Sequence, residues 1–212
     1  MSFSVLMSLV RQIRWLLGFG YGREHFDRVY AAVSRDAWGY ERAEFATRRF
    51  QFLLQMLPPS PVSAALEVGC AEGQFTRVLA QHAEHVLACD ISESAIERAR
   101  QTCLGLHNVR FMCMDIRKGL PDEPLDLILF SDVLYYLSKR EVIRVLEDSA
   151  RSLRPGGFLM FSNEWHSHYR WLLEPGEVLK AISDSGHWEK LKSEEIKDPP
   201  TRTVTAALFR RS

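Results

Sequence analysis

The most informative stretch of the 212-residue chain is Ala65-Leu66-Glu67-Val68-Gly69-Cys70-Ala71-Glu72-Gly73. Its first four residues form a short, mostly apolar run, which predicts a buried strand. The two glycines that follow allow the backbone to turn tightly and allow a ligand to approach the main chain. A helical pattern over residues 74–82 comes next. The stretch therefore predicts the strand, loop and helix that open an α/β sheet.

The remainder of the chain continues this alternation of strands and helices. A helical region at 24–57 precedes the stretch, and a short linker of Ser60, Pro61 and Ser63 joins the two. Further strands are predicted at 85–90, 109–114, 125–130, 158–161, 189–196 and 203–209, and further helices at 92–103, 139–153 and 175–185. This order predicts a Rossmann-like, doubly wound α/β fold. Its seven-stranded sheet is mostly parallel with an antiparallel last strand, and helices lie on both faces.

The composition excludes several classes of protein. The 27 Lys and Arg residues balance the 27 Asp and Glu residues, and 46% of the residues are hydrophobic. These values exclude a disordered, collagen-like or disulfide-scaffold chain. We expect no nucleic-acid partner, because phosphate binding requires an excess of basic residues on one face. The four cysteines form no Cys-x-x-Cys pair, so we expect no metal site and a reducing, cytoplasmic compartment.

Residues 1–35 are predicted to be an N-terminal helical extension, and residues 36–212 the α/β domain. Within the extension, residues 3–19 carry apolar side chains at helical spacing, interrupted by Arg11 and Arg14. Its uncharged run is far shorter than the ~18–20 residues that span a bilayer. The pattern predicts a helix that packs on the domain or on a partner protein. The alternatives are a helix lying on a membrane surface, which would make the protein membrane-peripheral, and a disordered segment.

Glycines and acidic residues follow the predicted strands. In an open α/β sheet, ligands bind beyond the carboxyl ends of the strands. Residues 69–73, Asp90, Asp115, Ser131 and Asp132 occupy those ends, so they should converge on one cleft. At the end of the second strand, the carboxylate of Asp90 can accept hydrogen bonds from both hydroxyls of a ribose.

The chemistry of the glycine loop indicates which nucleoside binds. A dinucleotide site has the pattern Gly-x-Gly-x-x-Gly, whereas Ala71 and Gln74 replace the second and third glycines here. Glu67 and Glu72 add negative charge where a pyrophosphate would lie. The loop therefore favours a ligand that carries a positive charge and no phosphate. S-adenosylmethionine, whose demethylated product is S-adenosylhomocysteine, is such a ligand.

Five segments, taken in order, resemble the class I S-adenosylmethionine-dependent methyltransferases. They are residues 66–73, Asp90, residues 114–116, residues 131–137 and residues 153–157. The resemblance implies that the glycine loop borders the methionine part of the cofactor and that Asp90, after the second strand, holds the ribose. It also implies that Asp115 and Ile116, after the third strand, flank the adenine. The predicted cofactor residues are Trp38, Glu67, Gly69, Cys70, Ala71, Gly73, Asp90, Ile91, Asp115, Ile116 and Ser131.

A narrower resemblance connects the chain with the nodulation-type (NodS-like) N-methyltransferases. It is carried by Trp38-Gly39-Tyr40-Glu41, by the start of the glycine loop and by residues 131–137. It implies methylation of an amino nitrogen on a deacetylated chitooligosaccharide, with Trp38 and Tyr40 in an aromatic segment that closes over the cofactor. The apolar segment before residue 24 departs from the family pattern, which leaves the acceptor and the location open.

The predicted catalytic residues follow the fourth and fifth strands. Methyl transfer is an in-line displacement, so much of the catalysis comes from alignment of the reactants. Asp132 could accept a proton or bind an amine. Tyr135 or Tyr136 could orient an acceptor amine or hydroxyl through the phenol oxygen. His166 is the general-base candidate, because an imidazole titrates near ~6.5, and Glu164 faces the same rim.

The predicted function is methyl transfer from S-adenosylmethionine to a nitrogen or oxygen of a small-molecule or glycan acceptor, with an amino sugar favoured. Two alternatives stay open. One is a non-catalytic partner protein that keeps the fold, which the apolar first segment motivates. The other is a nicotinamide-dependent oxidoreductase, which Ala71 and Glu72 disfavour. The sequence does not predict the oligomeric state.

Overall fold

The computed structural model describes residues 21–40, 44–59, 61–166, 172–198 and 202–212. Within these ranges the helices are α1 (Arg23–Ala31), α2 (Glu44–Met56), α3 (Gln74–Leu79), α4 (Glu93–Thr102), α5 (Lys139–Ser152) and α6 (Pro175–Asp184). The strands are β1 (Val62–Val68), β2 (Ala83–Asp90), β3 (Val109–Cys113), β4 (Leu125–Ser131), β5 (Leu153–His166), β6 (Trp188–Asp198) and β7 (Arg202–Arg211). Short 3₁₀ helices, Ile116–Lys118 and Leu134–Tyr136, follow β3 and β4.

The strands form a seven-stranded sheet in the order β3-β2-β1-β4-β5-β7-β6. The pairs β1–β2, β1–β4, β2–β3 and β4–β5 are parallel. Strand β7 is antiparallel to both of its neighbours, β5 and β6. The predicted doubly wound sheet with an antiparallel last strand is therefore confirmed. The order reverses between β1 and β4, and ligands bind at such a switch point.

Apolar layers cover both faces of the sheet. Successive side chains of a strand point to opposite faces. In β4, Ile128 and Phe130 join the layer that contains α5, whereas Leu127 and Leu129 join the layer that contains α2 and α4. All four side chains are fully buried. The continuous apolar run of β4 is explained by this two-sided cover.

Several strands are longer than the sequence predicts, β1 and β5 among them. β1 begins at Val62, so the prediction of a linker through Ser63 is wrong. Pairing with β2 extends the strand, because Val62 lies beside Ala83 and the Ser63 hydroxyl donates to Glu84 over 2.8 Å. β5 runs from Leu153 to His166, since β4 and β7 pair with it on either side.

The N-terminal helix α1 packs directly on the domain. Phe26 and Tyr30 pack around Ala95 of α4, and the Ser92 hydroxyl donates to the Asp27 carboxylate over 2.5 Å. The predicted apolar helix at 3–19 lies outside the described residues. Within the described ranges, no helix combines the length and the apolar character needed to cross a membrane.

Candidate active site

A cavity of about 340 Å³ lies at the carboxyl ends of β1, β2 and β4, and residues of α1, α2 and the segment 36–40 also line it. We divide its lining into two sides. The Asp90 side consists of residues 67–71, 90–91 and 114–117, from the ends of β1, β2 and β3. The Arg49 side consists of Tyr40, Arg49, Asp132, Tyr135 and Glu164, from α2 and its preceding segment and from the ends of β4 and β5.

Gly69 makes the first turn after β1, and no larger residue fits there. Its φ of +83° lies in the left-handed region, and its N–H donates to the Cys89 carbonyl over 2.8 Å. A Cβ atom at Gly69 would lie 2.5 Å from the Ser131 carbonyl oxygen. The glycine therefore lets the ends of β1 and β4 approach each other at the switch point.

Asp90 ends β2 and points its carboxylate at the glycine loop. One oxygen accepts the N–H of Ser92 over 3.0 Å, and the other accepts the N–H of Ala71 over 3.1 Å. Burial raises the pKa of Asp90 to about 6, although these backbone donors act in the opposite direction. A carboxylate has about four acceptor positions, so Asp90 retains acceptor capacity at the cavity wall.

Glu67 is a second acid on this side and is buried in β1. Its carboxylate accepts the Thr76 hydroxyl over 2.6 Å. Burial raises the pKa of Glu67 to about 7, and the nearby charge of Asp90 adds to the rise. A positively charged ligand would stabilise the ionised forms of both acids and lower their pKa values.

Asp115 caps the 3₁₀ helix after β3. Its carboxylate accepts the N–H of Arg117 over 3.0 Å and pairs with the Arg117 guanidinium at 2.7 and 2.8 Å. Burial opposes ionisation, yet these bonds lower the pKa of Asp115 below its ordinary value. A ligand therefore meets Asp115 as part of an ion pair and beside the buried side chain of Ile116.

The segment 36–40 is held over the cavity by two sets of contacts. The Trp38 indole donates to the Tyr30 hydroxyl over 2.8 Å. Glu72 accepts the N–H of Ala37 over 3.1 Å and pairs with Arg98 at 2.7 Å. Glu72 is absent from the cavity lining, and its charge is neutralised by Arg98. The expectation that Glu72 repels a pyrophosphate is therefore wrong.

A buried arginine organises the other side. Arg49 donates to the Glu164 carboxylate over 2.9 Å and to the Tyr40 hydroxyl over 3.2 Å, and it pairs with Asp132 through its second terminal nitrogen. Its side chain is only 2% exposed. Burial disfavours the charge, but Asp132 and the other partners raise the pKa of Arg49 above its ordinary value. Arg49 therefore remains a cation inside the protein.

Tyr135 lies beside this ion-pair cluster. Burial raises its pKa well above the ordinary value, and the neighbouring Tyr136 and Asp132 add to the rise. The rings of Tyr135 and Tyr136 are 4.4 Å apart, and Tyr136 in turn contacts Phe26 of α1. The Tyr135 hydroxyl is thus neutral and does not act as a base, and the residue lines the cavity.

The glycine loop and the strands around it match known proteins. Residues 65–157 match the family described as a methyltransferase domain. The match covers 93 of the 212 residues, a little under half of the chain. The fold of the chain also matches the crystal structure of the N-methyltransferase NodS from Bradyrhizobium japonicum WM9 in complex with S-adenosyl-L-homocysteine. The TM-score is 0.77 and the identity 26%, over 87% of this chain and 99% of that one. The resemblance to class I and nodulation-type methyltransferases is confirmed.

Curated proteins that are similar to the chain include nodulation protein S and plant enzymes. Nodulation protein S from Rhizobium tropici is 35% identical over 130 residues, which cover 60% of this chain and 55% of the relative. Phosphoethanolamine N-methyltransferase 3 from Arabidopsis thaliana is 35% identical over 112 residues, which cover 51% of this chain and 23% of the relative. The chain thus matches about half of the length of its nodulation relative.

The predicted cofactor residues lie together, with one exception. The cavity is lined by Trp38, Glu67, Gly69, Cys70, Ala71, Asp90, Ile91, Asp115, Ile116 and Ser131. Gly73 is absent from this lining and packs against α4, where an added Cβ would lie 3.1 Å from Ala99. Of the predicted catalytic residues, Asp132 and Tyr135 line the cavity. His166 ends β5, and its side chain lies outside the described part of the structure.

Sequence reasoning missed Arg49. The signal was its spacing in the helical region, because Phe45, Arg49, Phe52 and Met56 repeat at intervals of three or four residues. Such spacing places all four side chains on one face of a helix. The three apolar members are buried in the core beneath α2. A cationic residue in a buried stripe requires an anionic partner nearby, and that requirement indicates a buried ion pair at this position.

Proposed function

We propose that the protein is an S-adenosylmethionine-dependent methyltransferase that methylates a nitrogen atom of a small-molecule or glycan acceptor. The observation that carries this proposal is a pair of acids, the partly buried Asp90 and the buried Glu67, near the ends of adjacent strands beside a loop without the dinucleotide glycines. Nucleoside ligands with a phosphate would meet two negative groups there. A sulfonium nucleoside would meet two groups that attract it.

The residues of the Asp90 side fit the parts of this cofactor. Asp90 retains acceptor positions for the two ribose hydroxyls after it has accepted the N–H groups of Ser92 and Ala71. Ile91 and Ile116 offer apolar surface to the adenine. Glu67 offers a buried carboxylate near the positive charges of the methionine part.

The chemistry needs alignment more than acid or base strength. Bound S-adenosylmethionine supplies a methyl carbon on a positive sulfur, so that the new nitrogen–carbon bond forms as the sulfur–carbon bond breaks and its electron pair stays on sulfur. The acceptor nitrogen must arrive without its extra proton, and a carboxylate at the cavity wall can accept that proton. Tyr135 can orient the nitrogen through its neutral hydroxyl.

Within this class of acceptors we favour an amino sugar. The support is the narrower likeness to the nodulation-type enzymes and the presence of two carboxylates, from Asp132 and Glu164, in the lining of the Arg49 side. The N-methyltransferase names of the NodS and phosphoethanolamine relatives support nitrogen as the acceptor atom.

Calorimetric titration with S-adenosylmethionine and, separately, with NAD tests the cofactor assignment. We expect micromolar binding of the first and no binding of the second. The acceptor assignment is tested with methyl-labelled S-adenosylmethionine and two matched sugars, glucosamine and N-acetylglucosamine. Label should appear on glucosamine only. Binding of NAD alone would refute the proposal, and so would methylation confined to hydroxyl or carboxyl acceptors.

A further inference from the structure

The backbone at the cavity contains residues in an unfavourable conformation. The described part of the chain has three non-glycine residues with a positive φ, namely Asp36, Ala71 and Asp132. The last two line the cavity. Asp132, with a φ of +54°, directly follows β4. Such a conformation persists only where the surroundings impose it, and residues of this kind cluster at functional sites. The turn at Asp132 is therefore a candidate functional feature.

Three contacts hold Asp132 in this conformation. Its N–H donates to the Ser162 carbonyl over 3.0 Å, and one of its carboxylate oxygens accepts the N–H of Glu164 over 2.5 Å. The other oxygen pairs with the buried guanidinium of Arg49. Two of these contacts join Asp132 to β5, and the third joins it to α2. Both oxygens of the carboxylate are therefore used to connect three elements of the fold.

The turn at Asp132 sets the path of the short 3₁₀ helix Leu134–Tyr136. Val133 joins the turn to this helix and packs on the glycine loop, because a Cβ atom added at Gly69 would overlap the Val133 Cγ2 atom. The helix is closed by the N–H of Tyr136, which donates to the Val133 carbonyl over 3.0 Å. The direction of the backbone at Asp132 therefore decides where the side chains of this helix lie.

Two of these side chains, Tyr135 and Tyr136, line the cavity, and we call them the tyrosine wall. Their ring centroids are 4.4 Å apart. The Tyr136 ring also contacts Tyr21 and Phe26, with centroid distances of 4.8 and 5.1 Å. In an in-line displacement the acceptor must approach the methyl carbon opposite the sulfur, and a misplacement of about 1 Å can lower the rate roughly 100-fold. A wall that is fixed in place therefore contributes to catalysis through alignment.

We propose that Asp132 is the positioning residue for the tyrosine wall. Its left-handed turn, locked by Arg49 from α2 and by the backbone of β5, fixes the two rings against which the acceptor is aligned. In this role the Asp132 carboxylate does not take the proton of the acceptor, although the sequence alone suggests that use. The inference rests on the proposed function and extends it by naming the group that aligns the acceptor.

Hydrogen exchange on the full chain tests the turn without any ligand. Asp132→Ala removes both carboxylate contacts and introduces a residue that disfavours the left-handed region. The amides of Tyr136 and Leu137, which close the 3₁₀ helix, should then exchange at least tenfold faster than in wild type. Asp132→Asn tolerates this conformation and keeps one acceptor oxygen, so exchange should rise less than threefold. Asp122→Asn, in the exposed loop before β4, is the matched control and should behave as wild type. Unchanged exchange in Asp132→Ala overturns the inference.

Turnover of glucosamine with labelled S-adenosylmethionine separates positioning from proton transfer. A positioning role predicts that Asp132→Asn lowers kcat about threefold to tenfold and that Asp132→Ala lowers it at least thirtyfold. The Kd for S-adenosylhomocysteine, measured by calorimetry, should stay within threefold. The pH dependence of kcat should keep its wild-type shape in Asp132→Asn. A proton acceptor at Asp132 predicts equal losses in both variants and recovery at high pH, where the amine arrives neutral. That result overturns the inference.

Arg49→Lys tests the same connection if Asp132→Ala folds poorly. It keeps the charge but loses the two-pronged geometry, so hydrogen exchange and kcat should change in the same direction as in Asp132→Asn. The double variant should lose no more activity than the larger single variant, because both changes break one interaction, and additive losses overturn the inference. Wild-type protein that binds no S-adenosylmethionine, or methylates no amine, overturns the proposed function and the inference with it. An active wild type with the opposite variant pattern overturns the inference alone.

Discussion

The two sides of the cavity hold their carboxylates in opposite ways. On the Asp90 side, Asp90 and Glu67 are surrounded by backbone N–H groups and one hydroxyl, with no cation among the described contacts, and burial raises the pKa of both. On the Arg49 side, Asp132 and Glu164 share a buried guanidinium. A positively charged ligand would therefore neutralise Asp90 and Glu67, whereas Asp132 and Glu164 already share Arg49. The third acid of the Asp90 side, Asp115, is paired with Arg117.

This difference follows from where the partners lie in the chain. Asp90 accepts from Ser92, two residues away, and from Ala71, nineteen residues away in the loop after the neighbouring strand. Arg49 reaches Asp132 across 83 residues and Glu164 across 115. The Asp90 side is therefore a product of local strand and loop geometry, and the Arg49 side is a product of tertiary packing.

The largest effect should come from removing the resident cation. Arg49→Met removes the cation that pairs with the partly buried Asp132 carboxylate, which typically costs about 3–5 kcal/mol of unfolding free energy. Arg48→Met is the matched control, because Arg48 directly precedes Arg49 in α2 and is exposed. It should change stability by less than about 0.5 kcal/mol. Urea denaturation measures both, and equal effects would show that the Arg49 cluster does not support the fold.

On the Asp90 side, the greatest structural cost should come from Gly69→Ala. The left-handed φ costs roughly 1–2 kcal/mol, and overlap of the new Cβ with the Ser131 carbonyl forces a backbone shift, for a total of about 3 kcal/mol. Gly186→Ala separates the two terms, because Gly186 has a φ of +74° with nothing within 4 Å of the added Cβ. In thermal and urea unfolding, Gly69→Ala should be much less stable than Gly186→Ala. Equal losses of stability would contradict the close approach of Gly69 to the Ser131 carbonyl.

The Asp90 side could be predicted from sequence because strand ends can be located from the chain alone. An apolar run followed by a glycine or an acid marks the carboxyl end of a strand, and parallel strands bring those ends together. Gly69, Asp90 and Asp115 reach the cavity for that reason. Gly73 follows the same rule but turns toward α4, because a loop of this length has an inner and an outer side.

The Arg49 side could not be predicted as a cluster. Asp132 and Tyr135 were identified by position, but the sequence does not show that an arginine from a preceding helix neutralises the acid. Glu72 illustrates the same limit, since its partner Arg98 lies on α4 and removes its charge from the site. Pairings of this kind depend on the angle at which a helix packs on the sheet, and no local pattern encodes that angle.

The raised pKa of Glu67 predicts a pH-dependent stability. The neutral form is favoured in the fold, so the stabilisation that it provides is complete below the ordinary pKa near 4.5 and is lost as the pH rises through about 7. Glu67→Gln stays neutral throughout. Its stability relative to wild type should therefore rise by about 2 kcal/mol between pH 5 and pH 8. Urea unfolding at both pH values checks this, with exposed Glu194→Gln as control. A difference that does not change with pH would show that Glu67 ionises freely.

The smallest effect should be confined to ligand binding and should separate the two sides. Asp90→Asn keeps the shape of the side chain and one acceptor oxygen, so one of the two hydrogen bonds from Ala71 and Ser92 can persist. It removes the negative charge that strengthens hydrogen bonds from the ribose hydroxyls. The Kd for S-adenosylmethionine should rise about tenfold, or roughly 1.5 kcal/mol. The KM for glucosamine, measured at saturating cofactor, should stay within twofold. If Asp90→Asn weakened cofactor binding and amine binding equally, the cavity would act as one electrostatic unit, and the division into two sides would have no functional meaning.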